Sequence, residues 1–214
     1  MFEALSTGTR IYQKGETILR QGNTVNYLYF LESGDCYRSM TTDKGDTIIY
    51  EIKQGGQSFA SLLGVLNLYN RNPVSSFSFE AKTTCVCQCI PADAFRDWAE
   101  SDPKVMKQIL IHAMEISREV REAFQSYQEG RIANRLCRLF LNCSEKNEEG
   151  QLILRDFTLS EFASMLGVHP VTVSRITRVL CQEKVLQKER GSFYIRNQPA
   201  MEEYAANKRS VSYR

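Results

Sequence analysis

The chain changes its hydrophobic rhythm twice. From about residue 10 to 98, segments rich in aromatic and β-branched residues, such as "VNYLYFL" and "TIIYEI", alternate with turn-forming clusters: "QKGET", "RQGN", "ESGDC", "TDKGDT" and "KQGGQS". Such segments suit a pleated, half-buried surface and predict an antiparallel β-roll of the jelly-roll (double-stranded β-helix) type. After "SDP" the period lengthens. Ser101, Asp102 and Pro103 form a helix-start signal, and no glycine or proline follows until Gly130. Within that stretch Met106, Ile109, Ala113, Ile116, Val120, Ala123 and Tyr127 recur at alternating spacings of three and four. A helix packed on its own domain could show one such heptad. Three heptads, flanked by Arg118, Glu119, Arg121 and Glu122, predict a two-chain coiled coil and therefore a homodimer.

The third texture begins at Gly130. "RIANRLCRLFLN" is a second amphipathic helix, with Ile132, Leu136, Leu139 and Phe140 on one side, and "CSEKNEEGQ" is a polar loop. In "FTLSEF", Thr158 and Glu161 have the spacing of a capping box, so a helix starts there. Gly167 can stop it, because glycine adopts the left-handed turn that ends helices. Pro170 then suits the first position of the next helix, where its missing N–H costs nothing. Two helices therefore meet across "GVH", the signature of a helix-turn-helix.

Placed at about 100° intervals, Val173, Ile176 and Leu180 of this second helix form an inward stripe, and Val171, Ser174, Arg175 and Arg178 lie opposite. One valine, one hydroxyl and two guanidinium groups match the edges of a major groove. Arginine forks onto guanine O6 and N7, an apolar side chain meets a thymine methyl, and hydroxyls take phosphate oxygens. The free N–H groups at the helix start add to phosphate binding. Beyond it, "VLQKERGSFYIR" predicts a β-hairpin turning at Arg190 and Gly191, a wing with Lys188 and Arg190 near its tip.

Charge supports this division. Residues 1–129 hold 13 Lys and Arg against 16 Asp and Glu, whereas residues 130–214 hold 14 against 9. A basic end on a mildly acidic one is an expected footprint of docking on a polyanion. There is no apolar run long enough to span a bilayer, and "MFEALSTGTRIYQKGE" lacks a signal-peptide pattern, so the expectation is a cytoplasmic protein without membrane partners. Seven cysteines without an export signal read as reduced thiols. In "TCVCQCIP" an extended strand would set Cys85, Cys87 and Cys89 about 7 Å apart, too far for one tetrahedral ion. They are expected to be core residues, and no metal site is expected. An enzyme on the roll, such as a cupin-type metalloenzyme, is disfavoured because residues 1–98 contain no histidine.

"KGETILRQG", "AKTTC", "GRIANRL" and "FTLSEFASMLGVHPVTVSRITRVL", in this order over residues 10 to 197, resemble the CRP/FNR family of bacterial transcription regulators. The resemblance implies an α+β chain: an effector-sensing, cyclic-nucleotide-binding-like β-roll (1–100), a dimerisation helix (101–129) and a winged helix-turn-helix DNA-binding domain (130–214). A hinge near Glu129 and Gly130 would join roll and reader. The implied partners are double-stranded DNA with a palindromic site, a second copy of the chain, RNA polymerase and a small-molecule effector. Candidate DNA contacts are Thr158, Ser160, His169, Val171, Thr172, Ser174, Arg175, Arg178, Lys188 and Arg190. The family commonly carries glutamate two positions after the residue aligned with His169. Here Val171 stands there, so the half-site should differ at that base pair.

The effector is left open. Cyclic-AMP binders of the family offer a G-E-L helix, an Arg-Ser or Arg-Thr pair before "AKT", and Thr-Ser on the long helix. This chain offers Ser61 and Leu62, then Ser75 and Ser76, then Ile116 and Ser117, with Arg71 the only nearby guanidinium. A buried phosphate without its arginine would be an unpaired charge, so cyclic AMP is disfavoured. Candidate effector contacts are Ser61, Leu62, Arg71, Ser75, Ser76 and Ser117, and the cofactor is unknown. The family's other options are haem, for which the chain offers only His112 and His169, an iron–sulfur cluster, whose N-terminal cysteine cluster in the family is absent here, a thiol switch on one of the cysteines and other small ligands. A signalling module acting through protein contacts is the alternative outside it.

Overall fold

The computed structural model describes residues 3–56, 59–128, 131–148, 150–154, 157–189 and 191–213. The expected hinge at Glu129 and Gly130, the wing-tip Arg190 and the side chains of Ala123 and Tyr127 lie outside what is described. By its contacts the chain forms two units, residues 1–119 and 120–214.

The first unit contains β1 (Gly8–Tyr12), β2 (Thr17–Leu19), β3 (Tyr27–Ser33), β4 (Asp35–Thr41), β5 (Thr47–Gln54), β6 (Leu62–Leu63), β7 (Ser78–Ala81) and β8 (Cys85–Pro91). They form two four-stranded sheets, ordered β1-β8-β3-β6 and β2-β7-β4-β5, with every described pairing antiparallel. Alternation turns Phe79 and Ala81 of β7 and Cys85, Cys87 and Cys89 of β8 into one apolar core, which Leu28 and Leu31 of β3 and Cys36 of β4 join. Each fully buried leucine contributes roughly 1.5–3 kcal/mol. Two glycines allow the close crossing where β3 turns into β4. A Cβ on Gly34, at φ 87°, would stand 2.2 Å from the Thr84 carbonyl oxygen, and one on Gly55 would stand 2.5 Å from the Ser33 Cα. The Gly55 N–H donates to the Gly34 carbonyl at 2.8 Å.

After β8 the chain enters α1 (Ala92–Ser101), which buries Ala92, Phe95 and Ala99 on the roll core. The strand texture of the preceding segment conceals this helix in the sequence. α2 (Pro103–Gln128) starts at the proline of the "SDP" signal. Its inward stripe is Val105, Ile109, His112 and Ile116, at spacings of four, three and four. Three residues of the expected seam face the roll instead: Ile109 is buried in the core of its own domain, Met106 packs against that core, and Ile116 lines a cavity in the roll, while Val120 of that seam stays exposed. The apolar side chains that α2 leaves in water are Leu110 (59% exposed), Met114 (64%), Val120 (64%) and Phe124 (63%), with Ile111 beside them. Two apolar stripes interleave on this helix, and periodicity alone does not say which one meets the roll.

The second unit continues with α3 (Ile132–Asn142), β9 (Ser144–Lys146), β10 (Leu152–Leu154), α4 (Leu159–Leu166), α5 (Pro170–Gln182), β11 (Leu186–Glu189), β12 (Ser192–Ile195) and α6 (Gln198–Ala205). Its sheet runs β11-β12-β10-β9. The segment expected as a polar loop contributes β9, whose three polar residues carry no strand pattern. Leu136, Phe140, Phe162, Ile176, Leu180 and Tyr204 are fully buried in a common core, and the Phe140 and Phe162 rings meet edge to face at 4.9 Å. No helix among the described residues is long and apolar enough to cross a membrane.

Candidate nucleic-acid interface and effector cavity

The helix-turn-helix is built from local chemistry. The Thr158 Oγ1 accepts the Glu161 N–H at 3.2 Å, and the Glu161 carboxylate accepts the Thr158 N–H, completing the capping box at the start of α4. At its end Gly167 takes φ 66° and ψ 37°. The Val168 N–H then reaches the Ala163 carbonyl at 3.0 Å, which closes a Schellman turn. Arg135 of α3 donates to the Leu166 carbonyl at 3.4 Å, so "GRIANRL" supplies a cation at the negative end of α4. His169 caps α5, its Nδ1 accepting the Val171 N–H at 3.3 Å, and Pro170 follows at the first helical position.

α5 buries Val173, Ile176, Thr177 and Leu180; the Thr177 hydroxyl donates to the Val173 carbonyl at 2.8 Å. The opposite face carries Val171 (48% exposed), Arg175 and Arg178, both exposed, with Thr172 and Ser174 half-buried at its margins. Its first acidic residue is Glu183, at the C-cap. Thr158, Ser160 and His169 are also exposed. Lys188 lies on the wing strand β11 with its Nζ 5.6 Å from the centre of the Phe193 ring, and Glu189 pairs with Ser192 to close the hairpin. One face of α5 thus carries hydroxyls, an apolar side chain and two guanidinium groups.

In the roll the candidates separate. A cavity of about 60 Å3 is lined by Arg38, Lys53, Leu62, Asn67, Phe77, His112 and Ile116 among others. Leu62 is the one expected effector residue on its wall. Ser61 is buried and donates to the Gln54 carbonyl at 3.3 Å. Ser75 is buried with its hydroxyl 2.6 Å from the Phe77 carbonyl. Ser76 donates through its N–H and its hydroxyl to Asn67 Oδ1, at 3.3 and 3.2 Å. Arg71 and Ser117 are exposed and outside the lining.

Sequence reasoning passed over the charged wall. Arg38 and Glu51 stand opposite in the β4–β5 register, and Lys53 lies two residues on, on the same face. Glu51 accepts from both, at 3.2 Å from Arg38 and 2.9 Å from Lys53. The Arg38 guanidinium stacks 3.9 Å from the Phe77 ring centre. His112 is held below its ordinary pKa, first by burial and then by the Lys53 charge. The available signal was the charge in "IIYEIK" and at Arg38, on two strands that share the core with Cys36.

The thiols of the roll are core residues: Cys36, Cys85, Cys87 and Cys89 are buried, and burial pushes Cys85 up to about 11 and Cys87 up to about 12. Among the described residues no group of three or more His, Cys, Asp or Glu is gathered to hold a metal ion.

Residues 9–102 match the model of the cyclic nucleotide-binding domain, and residues 130–204 that of the Crp-like helix-turn-helix domain. The chain is 24% identical over 179 residues to the cAMP-activated global transcriptional regulator CRP of Haemophilus influenzae, covering 82% of this chain and 78% of that protein. It is 27% identical over 188 residues to the transcriptional activator protein FnrA of Stutzerimonas stutzeri, covering 84% and 73%. The solved structure of FixK2 from Bradyrhizobium japonicum superposes with a TM-score of 0.76 at 16% identity, covering 96% of this chain and 98% of that one, which establishes the shared fold. With a roll and a helix-turn-helix matched in the family's order, and with regulators rather than enzymes as its relatives, the chain belongs to the CRP/FNR family of transcription regulators.

Proposed function

We propose that this regulator acts as a homodimer that reads a palindromic DNA site through paired α5 helices and responds to a small effector held in the β-roll. The observation that carries the reading is the outward face of α5, where Val171, Arg175 and Arg178 stand together with no acidic side chain before Glu183. Arg175 supplies the bidentate contact to a guanine, and Val171 meets a thymine methyl. Thr158, Ser160, Thr172, Ser174 and Lys188 take phosphates, while the His169 turn sets the register. In a dimer of this kind two such helices enter successive major grooves about one turn apart.

The second copy covers the stripe of Leu110, Met114, Val120 and Phe124. These residues span about 21 Å along the helix, as two apolar pairs on either side of the exposed Ser117, and would otherwise stand in water. The roll, the helix and the reader correspond to residues 1–100, 101–129 and 130–214. An effector touching α2 would shift the population of reader arrangements. On the family resemblance the further partner is RNA polymerase, and the compartment is the cytoplasm.

The test is selection of an inverted repeat from a random duplex library, followed by titration at several salt concentrations. The expected result is sequence-specific binding that weakens steeply with salt, and a loss of roughly 10- to 100-fold in Arg175→Ala with the dimer retained. Binding without sequence preference, or an unaffected Arg175→Ala, would overturn the reading.

A further inference from the structure

We infer that the roll cavity is a site for a small organic monocarboxylate, held by Arg38 and Lys53. The inference rests on the reading of this cavity as the effector site and names the class of effector. Three observations carry it: charge, shape and placement.

Two half-buried cations share one carboxylate here. Arg38 and Lys53 side chains are 15% and 11% exposed, and Glu51, 37% exposed, is the acceptor for both. Among Arg38, Lys53 and Glu51 one positive charge is left over, while the exposed Glu115 of α2 acts on the same wall at His112. A monocarboxylate offsets that charge, whereas a phosphate monoester, with a charge of about −1.5 to −2 near neutral pH, brings more than the wall can match. The planar guanidinium has donors beyond the one given to Glu51, in a fork that fits a carboxylate. Because Glu51 is the most exposed of the three, it can yield its place on Lys53 and turn to water.

Leu62, Val65, Leu66, Phe79 and Ile116 make most of the remaining wall, with Phe77 fixed beneath Arg38 and the polar Asn67 and His112 set among them. A cavity of about 150 Å3 takes benzene. At about 60 Å3 this one holds the carboxylate end of a small acid, whose chain extends toward the open side. The cavity also joins the β4–β5 pair to α2 through His112 and Ile116, so an occupant would touch the helix that carries the outward stripe.

The experiment measures binding of butyrate to the full chain by calorimetry, with butyramide, inorganic phosphate and cyclic AMP as comparisons, alongside binding of the selected duplex. Butyrate should bind at least about tenfold more tightly than butyramide or phosphate, the fold-change expected for a hydrogen-bonded charge. Lys53→Met should weaken butyrate about tenfold or more. Glu51→Gln, which removes the competing carboxylate, should tighten it, a gain that a misfolded variant cannot give. Equal binding of acid and amide, tighter binding of phosphate or cyclic AMP, or an unchanged Glu51→Gln would overturn the inference. Loss of butyrate binding with duplex binding intact sinks the ligand class alone; butyrate binding without specific duplex binding sinks the DNA reading alone.

Discussion

At the scale of the residue, Val171 is, on the proposed reading, a determinant of the half-site. A carboxylate at this position would accept from cytosine N4, which valine cannot do, and a methyl-bearing thymine is its natural counterpart. Val171→Glu should therefore move the preferred base at one position of each half-site from thymine to cytosine and leave the guanine read by Arg175 unchanged. Repeating the duplex selection with the variant checks this. His112 carries a second prediction. Its folded form resists protonation because the ring is buried beside Lys53, while the unfolded chain titrates near 6.5. As pH falls through that value the unfolded state takes up a proton that the folded state refuses, so stability present above about 6.5 is lost below it. The drop in urea midpoint from pH 7.5 to 5.5 should be smaller in His112→Gln than in the parent chain.

At the scale of the element, the helix-turn-helix was legible because its signals are local. Thr158, Glu161, Gly167 and Pro170 each act within four residues, and all four occupy the roles their spacing predicts. Thr158→Ala should cost about 1 kcal/mol in the urea unfolding of the second unit, since the Glu161 N–H loses its acceptor. α2 was legible in its start and its period but not in its facing. Ile109 and Ile116 fit a heptad with the exposed Val120, Leu110 and Met114 form a neighbouring apolar pair, and only the packed roll shows which side chains turn inward. The roll cavity was the least legible. Arg38, Lys53, Phe77 and His112 come from two paired strands, a third segment and a helix, and no window of sequence contains that meeting.

At the scale of the whole molecule, the outward stripe of α2 should decide assembly. The double variant Leu110→Glu, Phe124→Glu should sediment as a monomer and lose affinity for the full palindrome while keeping weak affinity for a single half-site. A variant that still sediments as a dimer would place the interface elsewhere. The basic balance of residues 130–214 belongs to the same scale, because it raises the encounter rate with DNA without choosing a sequence. The two apolar cores have a wider consequence. One draws on residues between Ile18 and Ile109, the other on residues between Ala133 and Ala205, and each is filled by its own stretch of chain. Chemistry at the ligand end can therefore drift without disturbing the nucleotide-reading end. The same reader, transplanted behind a foreign sensor, would carry its promoter preference with it, and a lineage could acquire new signals for old genes by exchanging one half of the polypeptide.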